Sequence, residues 1–198
     1  MKSKPKPGNE RNGARATNPK KRRVPVSSRN GAGSNSAGPT ISIEKDFYAW
    51  LLEQAKAIRE RRLDGLDWEN IAEELEGMAA SQKRALTSHL RVMLTHLLKW
   101  AYQTKERELH LPSWRVSIVN SRLEIEDSLE ESPSLGTERN MLAFMQKAYH
   151  RARDLAAAEM GITDREMNRM FPAECPWTFE QFMAEGFLPE PQSAIATR

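Results

Sequence analysis

With 198 residues, 39% of them hydrophobic, and a mean hydropathy of −0.68, the chain has room for one ordinary soluble domain plus polar tails. No apolar run reaches the roughly 18 residues that a membrane span needs, and no signal peptide opens the chain. A single cysteine, Cys175, excludes an intramolecular disulfide and any multi-cysteine metal knot, so a reducing, cytoplasmic location is the expectation.

The net charge of +3 hides an asymmetry. Residues 1–40 carry ten Lys or Arg against one Glu, whereas 41–198 carry 20 basic against 26 acidic residues. The first 40 residues are rich in Gly, Ser, Asn, Pro, Lys and Arg and hold almost no large apolar side chain. Such a segment buries too little surface to offset its ordering entropy, so a disordered basic tail is predicted. Its densest charge is Lys20, Lys21, Arg22 and Arg23, a tract that resembles a nuclear import signal and equally any short polyanion-binding stretch. A plain solubilising tail has the same composition.

Residues 41–190 read as one helical domain, and 191–198 as a C-terminal tail. Asp46 is placed to cap a first helix reaching about Arg61, with Phe47, Trp50, Leu51, Gln54, Ala57 and Ile58 on one face. Asp67 then caps the longest helical stretch, which runs to Gln103 as one helix or two nearly collinear ones. Leu66 and Ile71 have the spacing of a hydrophobic staple, and Glu69 lies in the first turn, where the helix dipole favours an anion. Ile71, Leu75, Met78, Gln82, Ala85, His89, Met93, His96 and Trp100 form one stripe at 100° per residue. Beyond Leu86 the helix becomes apolar nearly all round, which predicts a central post. Gly77 is the one point where a kink is expected.

Residues 104–112 read as a loop ending in proline, followed by a third helix capped by Ser113, with Trp114, Ile118, Ser121, Ile125 and Leu129 at helical spacing. Ser132 and Pro133 have the N-cap and N1 pattern for a fourth helix, whose apolar face is Met141, Met145, Ala148, Ala152, Leu155 and Ala156 and which stops at Gly161. Capping-box spacing recurs at Thr163–Glu166 and Thr178–Gln181, predicting two short helices. No stretch alternates with period two. The predicted fold is therefore all-α: a compact helical bundle of four main helices around one long central helix, plus short C-terminal helices.

Several segments carry a family resemblance: DFYAWLLEQ (46–54), LDWENIAEELEGM (66–78), RVMLTHLLKW (91–100), ESPSL (131–135) and FPAECPWTFEQF (171–182). In this order they resemble the bacterial and cyanobacterial proteins grouped as domain of unknown function 29, over about residues 44–189. The resemblance implies a compact, purely helical domain and brings no activity, cofactor or catalytic residue with it. It leaves the basic tail outside, and a bacterial source would empty the nuclear import reading of meaning.

Candidate chemistry is sparse. His89 and His96 share the stripe of the central helix but stand seven residues apart, roughly 10 Å along the axis, too far to hold one ion together. His150, with Glu124, Glu126 or Asp127, is the remaining route to a metal site around either histidine. Glu69, Glu73 and Glu76 form a stripe opposite the core, the usual fate of a charge run, and no catalytic set is assigned. Cys175 has neither a basic neighbour nor a second thiol, and Trp68, Trp100, Trp114 and Trp177 read as core anchors. No Gly-rich phosphate loop is present and no cofactor is implied.

The outer face of the central helix is acidic at Glu69, Glu73 and Glu76 and basic at Lys83, Arg84 and Arg91. Two such faces laid antiparallel match opposite charges, one route to a homodimer, with Leu94 and Leu98 either as its apolar company or packed under the first, third or fourth helix. The reading from sequence is a non-enzymatic protein-interaction module with an unidentified protein partner and no membrane. The alternatives are a nucleic-acid-associated protein binding weakly through Lys20, Lys21, Arg22 and Arg23, and a metal-dependent helical-bundle enzyme using His89, His96 or His150.

Overall fold

A computed structural model describes residues 40–104 and 107–192. The basic tail and the tract Lys20 to Arg23 lie outside the described residues, as does most of the 191–198 tail. The described elements are α1 (Phe47–Arg59), a 3-10 turn (Leu63–Gly65), α2 (Trp68–Tyr102), α3 (Arg107–Glu131), a second 3-10 turn (Pro133–Gly136), α4 (Glu138–Met160), α5 (Asp164–Met170) and α6 (Phe179–Met183). Among the described residues there is no strand, and no helix is long and apolar enough to cross a membrane.

The helix starts follow the capping chemistry. The Asp46 carboxylate accepts from the Ala49 amide, and that of Asp67 accepts from the Asn70 amide. Thr163 with Glu166, and Thr178 with Gln181, close both predicted capping boxes. Gly161 ends α4 in the left-handed region at φ 67°. Gly77 makes no break: α2 runs unbroken for 35 residues, about 52 Å at 1.5 Å per residue.

Its second half is the predicted post. Leu86, Leu90, Met93, Leu94, Leu97 and Leu98 are fully buried, against Ile118 and Ile125 of α3 and Met141, Ala148, Ala152 and Ala156 of α4. The alanines bring α4 close to α2, while Met167, Phe171 and Phe182 from the C-terminal segment close the core. All four main helices are present, yet α1 contributes nothing to that cluster. It buries Trp50, Gln54 and Ala57 instead, and the Gln54 Oε1 accepts from the Asp67 amide at the entry to α2.

Four expectations need correction. The stripe of α2 is not buried along its length: Leu75 and Met78 are 61% and 65% exposed, and Trp68 is exposed too. The reason is reach. Ser132, at the end of α3, donates to Gln82 Oε1, so that end of the bundle meets α2 only from about Gln82 onward. Leu155 of α4 is likewise exposed. The loop expected at 104–112 is shorter, because α3 begins at Arg107 and carries Pro112 inside it. A proline so near a helix start removes one hydrogen bond, to the carbonyl of exposed Glu108, and stacking of His110 on Trp114 at 5.4 Å supports the extra turn. Finally, Ser132 does not cap α4; it opens the 3-10 turn, and Thr137 takes the cap position.

Candidate interaction surfaces

The titratable residues singled out from sequence are scattered. His89 Nε2 lies 3.9 Å from Glu124 Oε2 across α2 and α3, so one predicted pairing forms. His150 is exposed on α4. Among the described residues no three His, Cys, Asp or Glu side chains converge as a metal would require. Glu69, Glu73 and Glu76 are exposed on α2, as their spacing implied.

His96 sits in a more structured setting. Lys99, one turn on, donates to Glu159 Oε2 at 2.6 Å and places its ammonium 4.8 Å from the centre of the Trp114 ring. Burial, with Lys99 acting the same way and Glu159 against it, holds the His96 imidazole below the ordinary histidine range. Its Nδ1 is buried with no hydrogen-bond partner. Lys99, Glu159 and Trp114 thus form a link from α2 to α4 and α3 with a neutral imidazole beside it.

At the other end of the core, Tyr149 donates to the Pro172 carbonyl, and burial pushes its phenol well above the usual range. Cys175 lies half-buried with Sγ 3.3 Å from the Trp177 carbonyl oxygen, and burial raises its thiol, which leaves it a poor nucleophile. Sequence reading passed over Arg122, a buried guanidinium on α3 that donates to the carbonyls of Phe182 and Phe187.

The surfaces are more distinctive than these groups. Beside its buried Trp50, Gln54 and Ala57, α1 carries Phe47, Leu51 and Ile58, and farther round Tyr48 and Leu52, all exposed. Tyr48 is 71% exposed and Leu52 54%. α3 likewise carries Val116, Val119 and Leu123 exposed on its outer side. Two shallow clefts of about 530 Å³ flank that row, one against Trp100 and Pro112, the other against Met183, Phe187 and Leu188. The homodimer route through the charged face of α2 loses its apolar company, because Leu94 and Leu98 are fully buried in the core.

These features define an all-helical domain with apolar outer faces. The chain belongs to the family described as domain of unknown function DUF29, whose model matches residues 43–188. No curated protein and no solved structure matches it.

Proposed function

We propose that the domain is a non-enzymatic protein-interaction module whose docking face is the outer side of α1. The observation that carries this reading is the exposure of Phe47, Tyr48, Leu51, Leu52 and Ile58 together on one helix. Contiguous exposed apolar surface marks places where proteins meet. Covering any of these side chains completely is worth about 1.5–3 kcal/mol before the costs of association are set against it. A photo-crosslinking amino acid placed at position 52 of the full chain tests the reading in cells. An adduct from position 52 but not from exposed Glu130 on α3 is expected; no adduct from positions 48, 51 or 52 would end the reading.

A second reading rests on a separate observation, the excess of ten basic residues over one acidic residue in 1–40. A stretch of that charge binds polyanions by releasing counterions and reads charge, not sequence. With no aromatic residue in 1–40, single strands gain nothing from stacking. The salt dependence of nucleic-acid binding by the full chain tests it.

A further inference from the structure

Along α3, Arg115, Val119, Arg122 and Glu126 recur at i, i+4, i+7 and i+11, which at 100° per residue keeps them in one row about 60° wide. That row lines the second of the two clefts, about 530 Å³ in volume, together with Met183, Glu185, Phe187 and Leu188 from the C-terminal segment. The cleft is thus apolar over much of its wall and carries two cations and two carboxylates. We propose that it binds a free α-amino acid with an apolar side chain, whose carboxylate accepts from Arg122 and whose ammonium meets Glu126 and Glu185. The proposal goes beyond the α1 reading and stands without it.

The hydrogen bonds of Arg122 leave room for such a partner. A guanidinium has five N–H donors and a charge that it does not shed. Nε and Nη2 of Arg122 donate to the Phe182 carbonyl, and Nη2 also reaches that of Phe187. The two donors on Nη1 make no hydrogen bond among the described residues, yet Nη1 keeps access to solvent in an otherwise buried side chain that lines the cleft. Carbonyls supply no counter-charge. Burial works against the charged form of Arg122, while Glu126 and Glu185 favour it from a distance, and neither forms an ion pair with it among the described residues. A carboxylate arriving at Nη1 would make the charge-assisted bond that the fold itself does not provide.

The charges also select among ligands. A simple carboxylate that reached Nη1 would enter beside Glu126 and Glu185. A simple amine that reached those acids would enter beside Arg122 and Arg115. Like charges oppose each of them. An α-amino acid carries both charges one carbon apart and sets each against its opposite. Glu126 stands one turn beyond Arg122, about 6 Å along the helix axis, within the span of one zwitterion and its two contacts. The side chain is then left over the apolar wall, where Val119 and Leu123 are 44% and 52% exposed. The volume falls within the roughly 300–1,000 Å³ of small-molecule sites, and the shallowness places the affinity in the millimolar range.

Amide-resolved NMR of the full chain is the test, with L-leucine as the probe. Isocaproate is the same skeleton without the ammonium, and isoamylamine the same skeleton without the carboxylate. Leucine should shift the amides of Val119, Leu123 and Gly186 and saturate with a Kd of about 1–10 mM. Each fragment should bind at least about tenfold more weakly. Because Arg122 also holds the fold together, the variants are made at the two exposed acids. Glu126→Gln combined with Glu185→Gln should weaken leucine about tenfold and tighten isocaproate, a crossover that loss of folding does not produce. No shift at these amides up to about 50 mM leucine overturns the proposal. Isocaproate binding as tightly as leucine overturns it too, as does a double variant that treats both probes as the wild type does.

Discussion

The guanidinium of Arg122 donates from two nitrogens to one carbonyl, that of Phe182, at 3.2 and 2.9 Å across 60 residues of chain. A third, longer contact reaches the Phe187 carbonyl at 3.5 Å. Arg122 therefore ties α6 and the residues just after it onto α3, and buried Phe182 is held in the core by its own backbone as well as its ring.

Removing that tie should be costly. Arg122→Ala leaves a buried carbonyl without its charged donor and is expected to destabilise the domain by about 2–4 kcal/mol. Arg122→Lys keeps the charge but not the planar fork, and should recover part of the loss. Urea unfolding of the three proteins measures both. A change within about 0.5 kcal/mol for the alanine variant would show that the C-terminal segment is held by its side chains alone.

The two glycines Gly77 and Gly161 should respond in opposite directions. Gly77 lies within α2 with nothing within 4 Å of where a Cβ would stand, so Gly77→Ala should stabilise by about 0.5–1 kcal/mol. Gly161 sits at φ 67°, and Gly161→Ala should cost about 1 kcal/mol. Thermal melts of the two variants check the pair. A gain at both positions would mean that the end of α4 relaxes into an ordinary helical conformation.

His96 should make stability depend on pH near neutrality. Burial first, and the Lys99 charge second, lower its folded pKa below the ordinary value of 6.5, while Glu159 opposes them. Between the folded pKa and 6.5 the unfolded chain binds more protons, so stability is fully present above that window and falls as the pH drops through it. The melting temperature should therefore decrease from about pH 7.5 to 5.5, and His96→Gln should remove part of that decrease. Identical decreases in the two proteins would mean that the imidazole is already charged in the fold.

Binding of the basic tail to duplex nucleic acid should weaken steeply with salt. Engaging about five to seven phosphates gives a log–log slope of about −4 to −6. Replacing Lys20, Lys21, Arg22 and Arg23 with Gln should reduce that slope by about 3–4. A slope unchanged by the four substitutions would move any binding elsewhere on the chain.

Much of this architecture was legible because local chemistry decides it. Asp46, Asp67, Thr163 and Thr178 cap the helices they were expected to cap, since a short polar side chain before an apolar run satisfies amides that nothing else can reach. Periodicity is weaker evidence, because it says which residues share a face and not whether another element lies along it. Leu75 and Met78 therefore looked like core, although they lie beyond the end of the bundle marked by the Ser132–Gln82 contact. Arg122 was legible in principle, falling between Ile118 and Ile125 on the inner stripe of α3, but a charge invites the assumption of solvent. The α1 face was legible too: FYAWLLEQAKAIR has three charged residues in 13, too few to cover an outer side.

The exposure of α2 between Ala72 and Ala85 has a consequence for how that helix breathes. From Leu86 onward its amides are shielded by neighbouring helices, so they open to solvent only when the core opens. From 72 to 85 nearly every side chain faces water, and little beyond the helix's own hydrogen bonds opposes local fraying. Amide hydrogens a few turns apart on one continuous rod should then exchange with deuterium at widely separated rates. The slow half reports the stability of the fold, and the fast half reports the local fraying of the exposed helix.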